Sequence, residues 1–411
     1  MKLITKNIED PKYTPDITNY LARDGYQALE RALEMGPEGV ITEVKKSRLL
    51  GRGGAVFPTS SKWEFVHVAE DHPKYVICNA DEGEPGAFKD RLILERDPHL
   101  LLEGMTICGW ATNAEKGYIY IRGEYLKAYE TLKKAITEAK ERNFLGRNIL
   151  DTDFSFDVAP YRGAGSYVCG EETALLNSLE GKRGFARLKP PFPTTQGFRD
   201  KPTVINNVET LANIPAIILK GGDWYSKIGS KDAPGTKLYC VSGDIEKPGV
   251  YELPTDTNVE KLLETAGGVR GELKAVLPSG ISSGLLTGDE LGSRIEFGLG
   301  ATIVMNTERC MVDLARRCIE FYCYESCGKC APCREGTLQS RNILRRIAGG
   351  RGRMEDLDLL KELQKVMMDT AICGLGQAAL NMVISATKKF REEFEEHIAG
   401  KCRTGVCTIG G

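Results

Sequence analysis

Three cysteines in the segment YESCGKCAPCREG, residues 324–336, are each separated by two residues: Cys327, Cys330 and Cys333. This C-x2-C-x2-C spacing lets three thiolates of one short loop face the same side of a metal cluster. It is typical of [4Fe–4S] sites, which take four cysteine ligands. Zinc more often takes paired C-x2-C knuckles, so zinc is the weaker interpretation here. Cys373, in the segment TAICGLGQ between two predicted helices, is the candidate fourth ligand.

A second group of metal-binding residue types lies near the end of the chain. His397, Cys402 and Cys407 follow an H-x4-C-x4-C pattern, and Cys310 is a candidate fourth ligand. The pattern predicts either a zinc site with four protein ligands or a charged tail with redundant cysteines. The cysteines that lie in apolar segments are expected to be small core residues: Cys78, Cys108, Cys169 and Cys240.

Two glycine-rich loops are candidate ligand sites. In GRGGAVFP, residues 51–58, backbone N–H groups can close on a phosphate while Arg52 or Lys62 adds positive charge. An ordinary turn is the competing interpretation. The stretch YRGAGSYVCGEETALLNSLEG leads into a helix, where Glu171 and Glu172 are either ligand contacts or helix caps.

Acidic and amide residues follow two predicted strands. The segment NADEGEPGAFKDR, residues 79–91, comes directly after the strand YVIC, and PTVINNVETLAN places Asn206 and Asn207 before a helix. Ligands of open α/β sheets bind at such strand ends. These side chains suit hydroxyl and ring-amide groups better than phosphate. Together with an iron–sulfur site, the four loops indicate a nucleotide-type redox cofactor.

The elements around these loops predict three structured parts. Residues 1–50 are a helical lead-in, and residues 51–230 alternate strands with helices, which indicates an α/β domain around a mainly parallel sheet. Residues 235–305 combine one helix with several short strands and predict a small α+β module of the β-grasp kind. Residues 308–400 are predicted to form a helical bundle, and residues 401–411 are a cysteine-containing tail.

The bundle is predicted as four consecutive helices. Their sequences are CMVDLARRCIEFYCYES, TLQSRNILRRIAG, MEDLDLLKELQKVMMDT and GQAALNMVISATKKFREEFEEHI.

Composition narrows the function classes. The net charge of the 411 residues is −2, so no basic field attracts nucleic acid. No apolar run approaches the ~20 residues of a membrane span, so no direct membrane contact is expected. The first residues, MKLITKNIED, lack the apolar stretch of a signal peptide, which indicates a cytoplasmic protein. Thirteen cysteines, an odd number without a signal peptide, suggest metal binding rather than a disulfide scaffold.

The loops taken together resemble the flavin-containing NADH-oxidising subunit of respiratory complex I and its relatives in soluble NAD-linked hydrogenases and formate dehydrogenases. The resemblance rests on GRGGAVFPTSSKW, ICNADEGEPGAFKDR, RGAGSYVCGEETALLNSLEG, RLKPPFP, KPTVINNVETLAN and ESCGKCAPCREG, which occur in this order. It implies a Rossmann-like FMN domain, a β-grasp domain of the soluble-ligand-binding type and a four-helix bundle with a [4Fe–4S] cluster. In character the chain is most similar to the β subunit of soluble NADH-linked [FeFe]-hydrogenases.

The resemblance also implies roles for individual residues. FMN contacts are expected at Gly51, Gly53, Gly54, Lys62, Asn79, Asp81, Glu82, Tyr167, Gly170, Glu171, Asn206, Asn207 and Thr210. NADH contacts are expected at Phe57, Phe65, Glu84, Glu172 and Phe192. Aromatic faces suit adenine and nicotinamide rings, and a carboxylate beside the adenosine ribose favours NAD over NADP.

The chain departs from its relatives at a few positions. Val56 and Ser60 stand where many relatives have glycine, while Gly83 and Ala87 resemble the soluble hydrogenase branch. In that branch the C-terminal histidine and cysteines bind zinc. From the sequence we expect neither a thioredoxin-like [2Fe–2S] domain nor extra clusters. The resemblance therefore implies a thioredoxin-like [2Fe–2S] subunit and a hydrogenase or dehydrogenase catalytic subunit as partners.

The expected activity is that of an NADH dehydrogenase or diaphorase. NADH gives a hydride to FMN, and electrons pass singly to the [4Fe–4S] cluster, most simply within a soluble NADH-dependent hydrogenase. We expect no catalytic acid or base beyond the residues that position the cofactors. The alternatives are the NADH-input subunit of complex I, the same subunit of an NAD-dependent formate dehydrogenase, and a cluster-bearing scaffold without flavin.

Overall fold

A four-stranded parallel sheet organises the first half of the computed structural model, which describes residues 1–295 and 298–409. The strands run in the order β3-β2-β1-β4. Their bounds are β1 Tyr75–Ala80, β2 Lys116–Ile121, β3 Asp157–Arg162 and β4 Thr203–Asn207. The parallel α/β sheet that the alternating pattern predicted is confirmed.

Both faces of this sheet are covered. Along β1, Val76 and Cys78 pack into one core with the surrounding helices, whereas Tyr75 and Ile77 pack into a second core shared with the C-terminal helices. Successive side chains of a strand point to opposite faces, and parallel sheets are normally buried on both. The sheet thus ties the helical region to the first half of the chain.

Eleven helices belong to this first part among the described residues. They are α1 Ile17–Leu21, α2 Gln27–Ser47, α3 Thr59–His67, α4 Lys89–Arg96, α5 Pro98–Thr112, α6 Leu126–Glu141, α7 Glu172–Leu179, α8 Pro193–Gln196, α9 Val208–Ala212, α10 Ile214–Lys220 and α11 Gly222–Tyr225. Short 3-10 helices lie at Ile149–Asp151, Tyr167–Gly170 and Phe198–Asp200.

The lead-in is less continuous than its helical pattern predicted. Between α1 and α2 the chain turns, with Asp24 and Tyr26 in the left-handed region at φ 64° and 63°. Helix α2 is itself broken at Gly36, which has φ 73° and precedes Pro37. Its buried residues join the same core as α5, so this segment is part of the α/β core.

A second, mixed sheet lies C-terminal to the first. Its strand order is β6-β5-β8-β7, with the central pair β5 and β8 parallel and the outer pairs antiparallel. The bounds are β5 Thr236–Gly243, β6 Gly249–Pro254, β7 Leu273–Leu277 and β8 Ala301–Asn306, with helix α12 at Val259–Thr265 and a 3-10 helix at Gly288–Gly292. One helix and several short strands are what the sequence predicted for this part of the chain.

The C-terminal region is helical, but its divisions differ from the predicted ones. It contains α13 Met311–Glu325, α14 Ala331–Ala348, α15 Glu355–Thr370, α16 Gly374–Ala378, α17 Asn381–Lys389 and α18 Arg391–Ile398. The segment predicted as the fourth helix forms three helices, because the backbone at Leu380 and Phe390 is not helical. No glycine or proline at these two positions marks the breaks in the sequence. Helix α14 begins six residues before Thr337, with Pro332 in its first turn.

None of the described helices is both long enough and apolar enough to span a lipid bilayer.

One buried carboxylate fixes the N-terminal segment to the second sheet. Glu252 of β6 accepts hydrogen bonds from the backbone N–H groups of Leu3, Ile4 and Thr5 and from two hydroxyls, those of Thr5 and Thr236. Asn7 and Tyr13 then donate to Asp97 at the start of α5. The first thirteen residues therefore connect the second sheet to the start of α5.

We expect Glu252→Gln to lower the free energy of unfolding by about 1–3 kcal/mol, because an amide leaves some of these buried donors without an acceptor. Chemical denaturation measures the change, and Glu272→Gln, at an exposed site of the same module, is the matched control. Equal stability of the two variants would contradict this account of the N-terminal segment.

Candidate functional site

A cavity of about 890 Å³ opens at the carboxyl ends of β1 and β4. Asn79 is near the end of β1, Asp81 and Glu82 follow it, and Asn206 and Asn207 end β4. Parallel strands bring their carboxyl ends to one sheet edge, where α/β proteins bind ligands. The volume lies in the range of small-molecule and cofactor sites.

The structure brings all predicted FMN and NADH residues to this one cavity. The lining includes Gly51, Gly53, Gly54, Phe57, Lys62, Phe65, Asn79, Asp81, Glu82, Glu84, Tyr167, Gly170, Glu171, Glu172, Phe192, Asn206, Asn207 and Thr210. Three of these are phenylalanines with exposed rings: Phe57 at 43%, Phe65 at 50% and Phe192 at 55%. Exposed aromatic rings around a cavity suit flat ring systems as ligands.

The first glycine loop is closed at its base, and its arginine points away from the cavity. The Gly51 N–H donates to the Phe57 carbonyl at 2.9 Å. Arg52 is fully buried, and its guanidinium donates to the hydroxyl of Tyr225 at 3.1 Å and to the carbonyl of Pro234 at 2.7 Å. The expectation that Arg52 adds charge at a phosphate is wrong, since its guanidinium is hydrogen-bonded to buried residues behind the loop.

Lys62, the other candidate for that charge, does line the cavity. Its Nζ lies 3.1 Å from Glu172, and Lys189 lies 2.6 Å from the other oxygen of the same carboxylate. Although burial raises the pKa of Glu172, the two lysines outweigh it and hold that pKa below its usual value. A carboxylate between two lysines remains ionised and fixed in place.

Glu171 caps helix α7, which is one of the two roles that the sequence left open for it. Its carboxylate accepts from the N–H groups of Thr173 and Ala174, both at 2.9 Å, at the start of α7. It also lines the cavity and lies 3.1 Å from Lys189. Capping fixes the glutamate at the N-terminal end of a helix, beside the cavity.

Asp81 presents an acceptor to the cavity that no described protein group satisfies. Its Oδ2 is buried without a hydrogen-bond partner among the described residues, and burial raises its pKa to about 7. A buried acceptor of this kind is costly unless a ligand donates to it. Hydroxyl and ring N–H groups, which FMN carries, meet that need, so the residues present fit the cofactor.

Some cavity residues were missed by the sequence reasoning. They are Lys89, Asp90, Lys189, Leu299, Gly374 and Leu375. Lys89 is buried and lies 2.7 Å from Asp90 and 2.9 Å from Glu209. The motifs FKDR and RLKPPFP contain Lys89 and Lys189, so a signal was present for those two. Leu299 comes from the second module, and sequence order gives no sign of it.

Four cysteines of the C-terminal region converge as predicted. Cys327 and Cys330 precede α14, Cys333 lies in its first turn, and Cys373 caps α16. Burial raises the pKa of Cys333 to about 11, and the nearby thiols of Cys330, Cys373 and Cys327 add to the shift. A Cβ built on Gly376 would lie 3.3 Å from the Cys333 sulfur, so a glycine there permits the close approach. Four thiols from two loops fit a [4Fe–4S] ligand set.

The Cys373 loop also reaches the cavity. Gly374 and Leu375, which follow Cys373 directly, line it together with the glycine loop and Tyr167. Burial raises the pKa of the Cys373 thiol, and hydrogen bonds from the N–H groups of Leu375 and Gly376 to its sulfur offset part of this effect. One short loop therefore borders both the cavity and the four cysteines.

The second cysteine group also comes together. The ligand atoms of Cys310, His397, Cys402 and Cys407 all lie within 4.8 Å of one another. The Cys310 sulfur is 3.5 Å from His397 Nε2 and 3.6 Å from the Cys407 sulfur. Ligand atoms of a tetrahedral zinc ion lie about 3.5–3.8 Å apart, given the usual Zn–S and Zn–N lengths. His397 Nδ1 lies 2.6 Å from the Glu393 carbonyl, which orients the ring.

Comparison with protein families gives three matches along the chain. Residues 44–216 match the Nuo51 FMN-binding domain, residues 238–276 the SLBB domain, and residues 313–397 the NADH-ubiquinone oxidoreductase-F iron-sulfur binding region.

Several known proteins are similar to this chain over nearly its whole length. An NADH-quinone oxidoreductase subunit of Rhizobium meliloti is 49% identical over 93% of this chain and 94% of its own. The NADP-reducing hydrogenase subunit HndC of Solidesulfovibrio fructosivorans is 43% identical over 99% of this chain and 86% of its own. Among solved structures, NAD+-reducing [NiFe]-hydrogenase in the H2-reduced state matches with a TM-score of 0.86 at 36% identity, covering 97% of this chain and 67% of that one.

The raised pKa of Asp81 predicts a pH dependence. Since the pKa is about 7 in the folded protein and about 3.9 in the unfolded chain, folding favours the protonated form. The stabilising contribution is complete below about pH 4 and is lost as the pH rises through about 7. Asp81→Asn should therefore raise the unfolding midpoint of the ligand-free protein by several degrees at pH 8 and leave it unchanged at pH 4.

Thermal unfolding of the ligand-free protein across this pH range checks the prediction. Asp153→Asn, at an exposed position, is the control and should follow the unsubstituted protein throughout. An Asp81→Asn advantage that is equal at both pH values would show that titration of this carboxylate is not its cause.

Proposed function

The chain belongs to the family of NADH-oxidising, FMN- and iron–sulfur-containing subunits found in bacterial NADH-quinone oxidoreductases, and we propose how its residues serve that activity. As an NADH dehydrogenase-type oxidoreductase it uses FMN, a [4Fe–4S] cluster and NAD(H). The observation that carries the proposal is the Cys373 loop, which borders the cavity and the cysteine group at once.

The cavity residues divide between cofactor and substrate. The glycine loop, the ends of β1 and β4 and the start of α7 hold FMN, with Asp81 accepting a hydrogen bond and Lys62 adding positive charge. Phe57, Phe65 and Phe192 pack the rings of NADH, and Glu84 and Glu172 accept from its riboses. When bound, FMN accepts a hydride and the cluster accepts single electrons. The protein aligns the two and excludes water.

Cys327, Cys330, Cys333 and Cys373 are the proposed cluster ligands. Lys329, between two of them, donates to the carbonyl of Ala186 at 2.9 Å and lies over the Phe185 ring. It thereby ties the cysteine loop to the segment after α7. This contact supports a fixed distance between the cluster and the cavity.

Membership of a soluble NADH-dependent hydrogenase is the more specific proposal. It is supported by the similarity to a hydrogenase subunit and to a hydrogenase structure, and by the compact Cys310 group. Partners would then be a thioredoxin-like [2Fe–2S] subunit and the hydrogenase catalytic subunit, in the cytoplasm. Complex I is the second candidate, favoured by the 49% identity to a quinone oxidoreductase subunit.

We propose the domain limits 51–230, 235–305, 308–400 and 401–411 that the sequence predicted, with the lead-in of residues 1–50 packed into the core of the 51–230 domain. The second module is proposed to be a β-grasp domain of the soluble-ligand-binding type, supported by its parallel central strands and by the SLBB match. The C-terminal helices are proposed to form a bundle around the cluster, supported by the contacts between α13, α14 and α15.

We propose that Cys310, His397, Cys402 and Cys407 bind a structural zinc ion. The support is the close spacing of the four ligand atoms, all within 4.8 Å of one another, and the buried histidine. Such an ion would tie the tail to the start of α13 and leave no open coordination position, as structural sites do.

Cys330→Ser should remove the [4Fe–4S] cluster, because a serine oxygen replaces one thiolate ligand. We expect reduction of a flavin-directed dye by NADH to continue within twofold, while electron transfer to the partner acceptor falls at least a hundredfold. Cys323→Ser, one helical turn before Cys327, should retain both activities. Normal onward transfer in the Cys330 variant would contradict the assigned route.

Metal analysis of purified protein checks the zinc proposal. The intact protein should contain about one zinc per chain, and Cys402→Ser should lose it while keeping its iron and its flavin. Zinc content that does not respond to this substitution, or its absence from protein with full iron, would contradict the site.

A further inference from the structure

Val56 has a backbone conformation that valine normally avoids. Its φ is +55°, in the left-handed region. That region is uncommon for any residue with a Cβ atom, and for a β-branched residue it is an outlier. Strained backbone persists only where surrounding contacts hold it, and it concentrates at functional sites. Val56 lines the nucleotide cavity, and the next residue is Phe57, one of its exposed rings.

Several contacts hold the loop in this strained form. The hydrogen bond from Gly51 N–H to the Phe57 carbonyl closes its base, and Leu50 pairs with Pro58 beyond it. Near its tip, a Cβ on Gly53 would lie 3.0 Å from Asn207 Cβ, and one on Gly54 would lie 3.2 Å from a methyl of Leu299. The loop is therefore packed on both sides, and Val56 alone among its non-glycine residues has a positive φ.

We propose that Val56 is a positioning residue whose strain limits the affinity of the closed loop for the nicotinamide nucleotide. This inference rests on the proposed function of the cavity. The strain is present whenever the loop is closed, and it is relieved when residue 56 moves to a negative φ. A nucleotide that packs against Phe57 requires the closed loop.

The consequence for binding follows from the two loop states. A ligand that binds only one state loses apparent affinity in proportion to the population of the other state. Valine raises the population of the open state relative to glycine, because it disfavours the positive φ of the closed loop, whereas glycine has no such preference. With valine at position 56 the chain therefore binds the nucleotide more weakly than it would with glycine, and it releases the nucleotide faster.

The experiment compares Val56→Gly and Val56→Ala with the unsubstituted protein, each loaded with FMN and cluster. Calorimetric titration with NAD+ measures affinity. We expect the dissociation constant to fall about three- to tenfold in the glycine variant and by less in the alanine variant, since alanine keeps a Cβ but no branch. The unfolding midpoint should rise in the same order, by about 1–3 °C for glycine.

Amide hydrogen exchange supplies a readout that does not depend on nucleotide or turnover. The N–H of Gly51, bonded to the Phe57 carbonyl, should exchange more slowly in Val56→Gly, because the closed loop is more populated. Val68→Gly, at an exposed site with φ −78°, is the matched control. It should change neither the exchange of Gly51 nor the affinity for NAD+.

The outcomes separate this inference from the function on which it rests. An unchanged or weaker affinity of Val56→Gly for NAD+ overturns the inference and leaves the function intact, provided that the unsubstituted protein binds NAD+. A higher midpoint without a change in affinity also overturns it, since the strain then has only a structural effect. If the unsubstituted, FMN-loaded protein binds neither NAD+ nor NADH, the proposed function fails and the inference with it.

Discussion

The packing of the Cys373 loop is the constraint on which the rest of the structure depends. The thiol of Cys373 faces the other three cysteines, while Gly374 and Leu375 form part of the cavity wall. A Cβ on Gly376 would lie 2.7 Å from Ala371 Cβ and 3.0 Å from Cys333 Cβ, so a larger residue would force the loop and the first turn of α14 to shift apart. The cavity and the cysteine group therefore cannot separate without breaking this contact. The family chemistry requires this proximity, because electrons must pass from one cofactor to the other.

A network of buried charged side chains lies behind the cavity wall and holds it in place. Glu209 is fully buried on α9, and burial raises its pKa, yet Lys89, Lys237 and Arg52 outweigh that effect and lower it. These groups come from the glycine loop, from α4 and from β5 of the second sheet. Paired charges in a dry interior are costly to separate, since removal of one partner leaves the other uncompensated. The network thus fixes the second module against the loops that line the cavity.

The alternating pattern predicted the parallel sheet, and local spacing indicated three members of each cysteine group, whereas the individual cavity residues were implied by the resemblance of the loops to a known family. Cys373 and Cys310 lie far along the chain from the other members of their groups and were candidates only. Cys327 to Cys333 need only local spacing, and strand ends such as Asn79 are marked by the change from apolar to acidic residues. The direction of the Arg52 side chain was not predictable, since it depends on Tyr225 and Pro234 more than 170 residues away. The division of the last predicted helix at Phe390 and the contribution of Leu299 to the cavity likewise come from tertiary packing.

Freeze-quenched electron paramagnetic resonance tests the central claim, that this one chain holds the flavin and the cluster close enough for electron transfer. The isolated chain, loaded with both cofactors and kept anaerobic, is mixed with NADH and frozen within milliseconds. The signal of a reduced [4Fe–4S] cluster should appear as the flavin absorbance bleaches. A flavin that bleaches while the cluster remains oxidised, although dithionite reduces it in the same sample, would contradict the account.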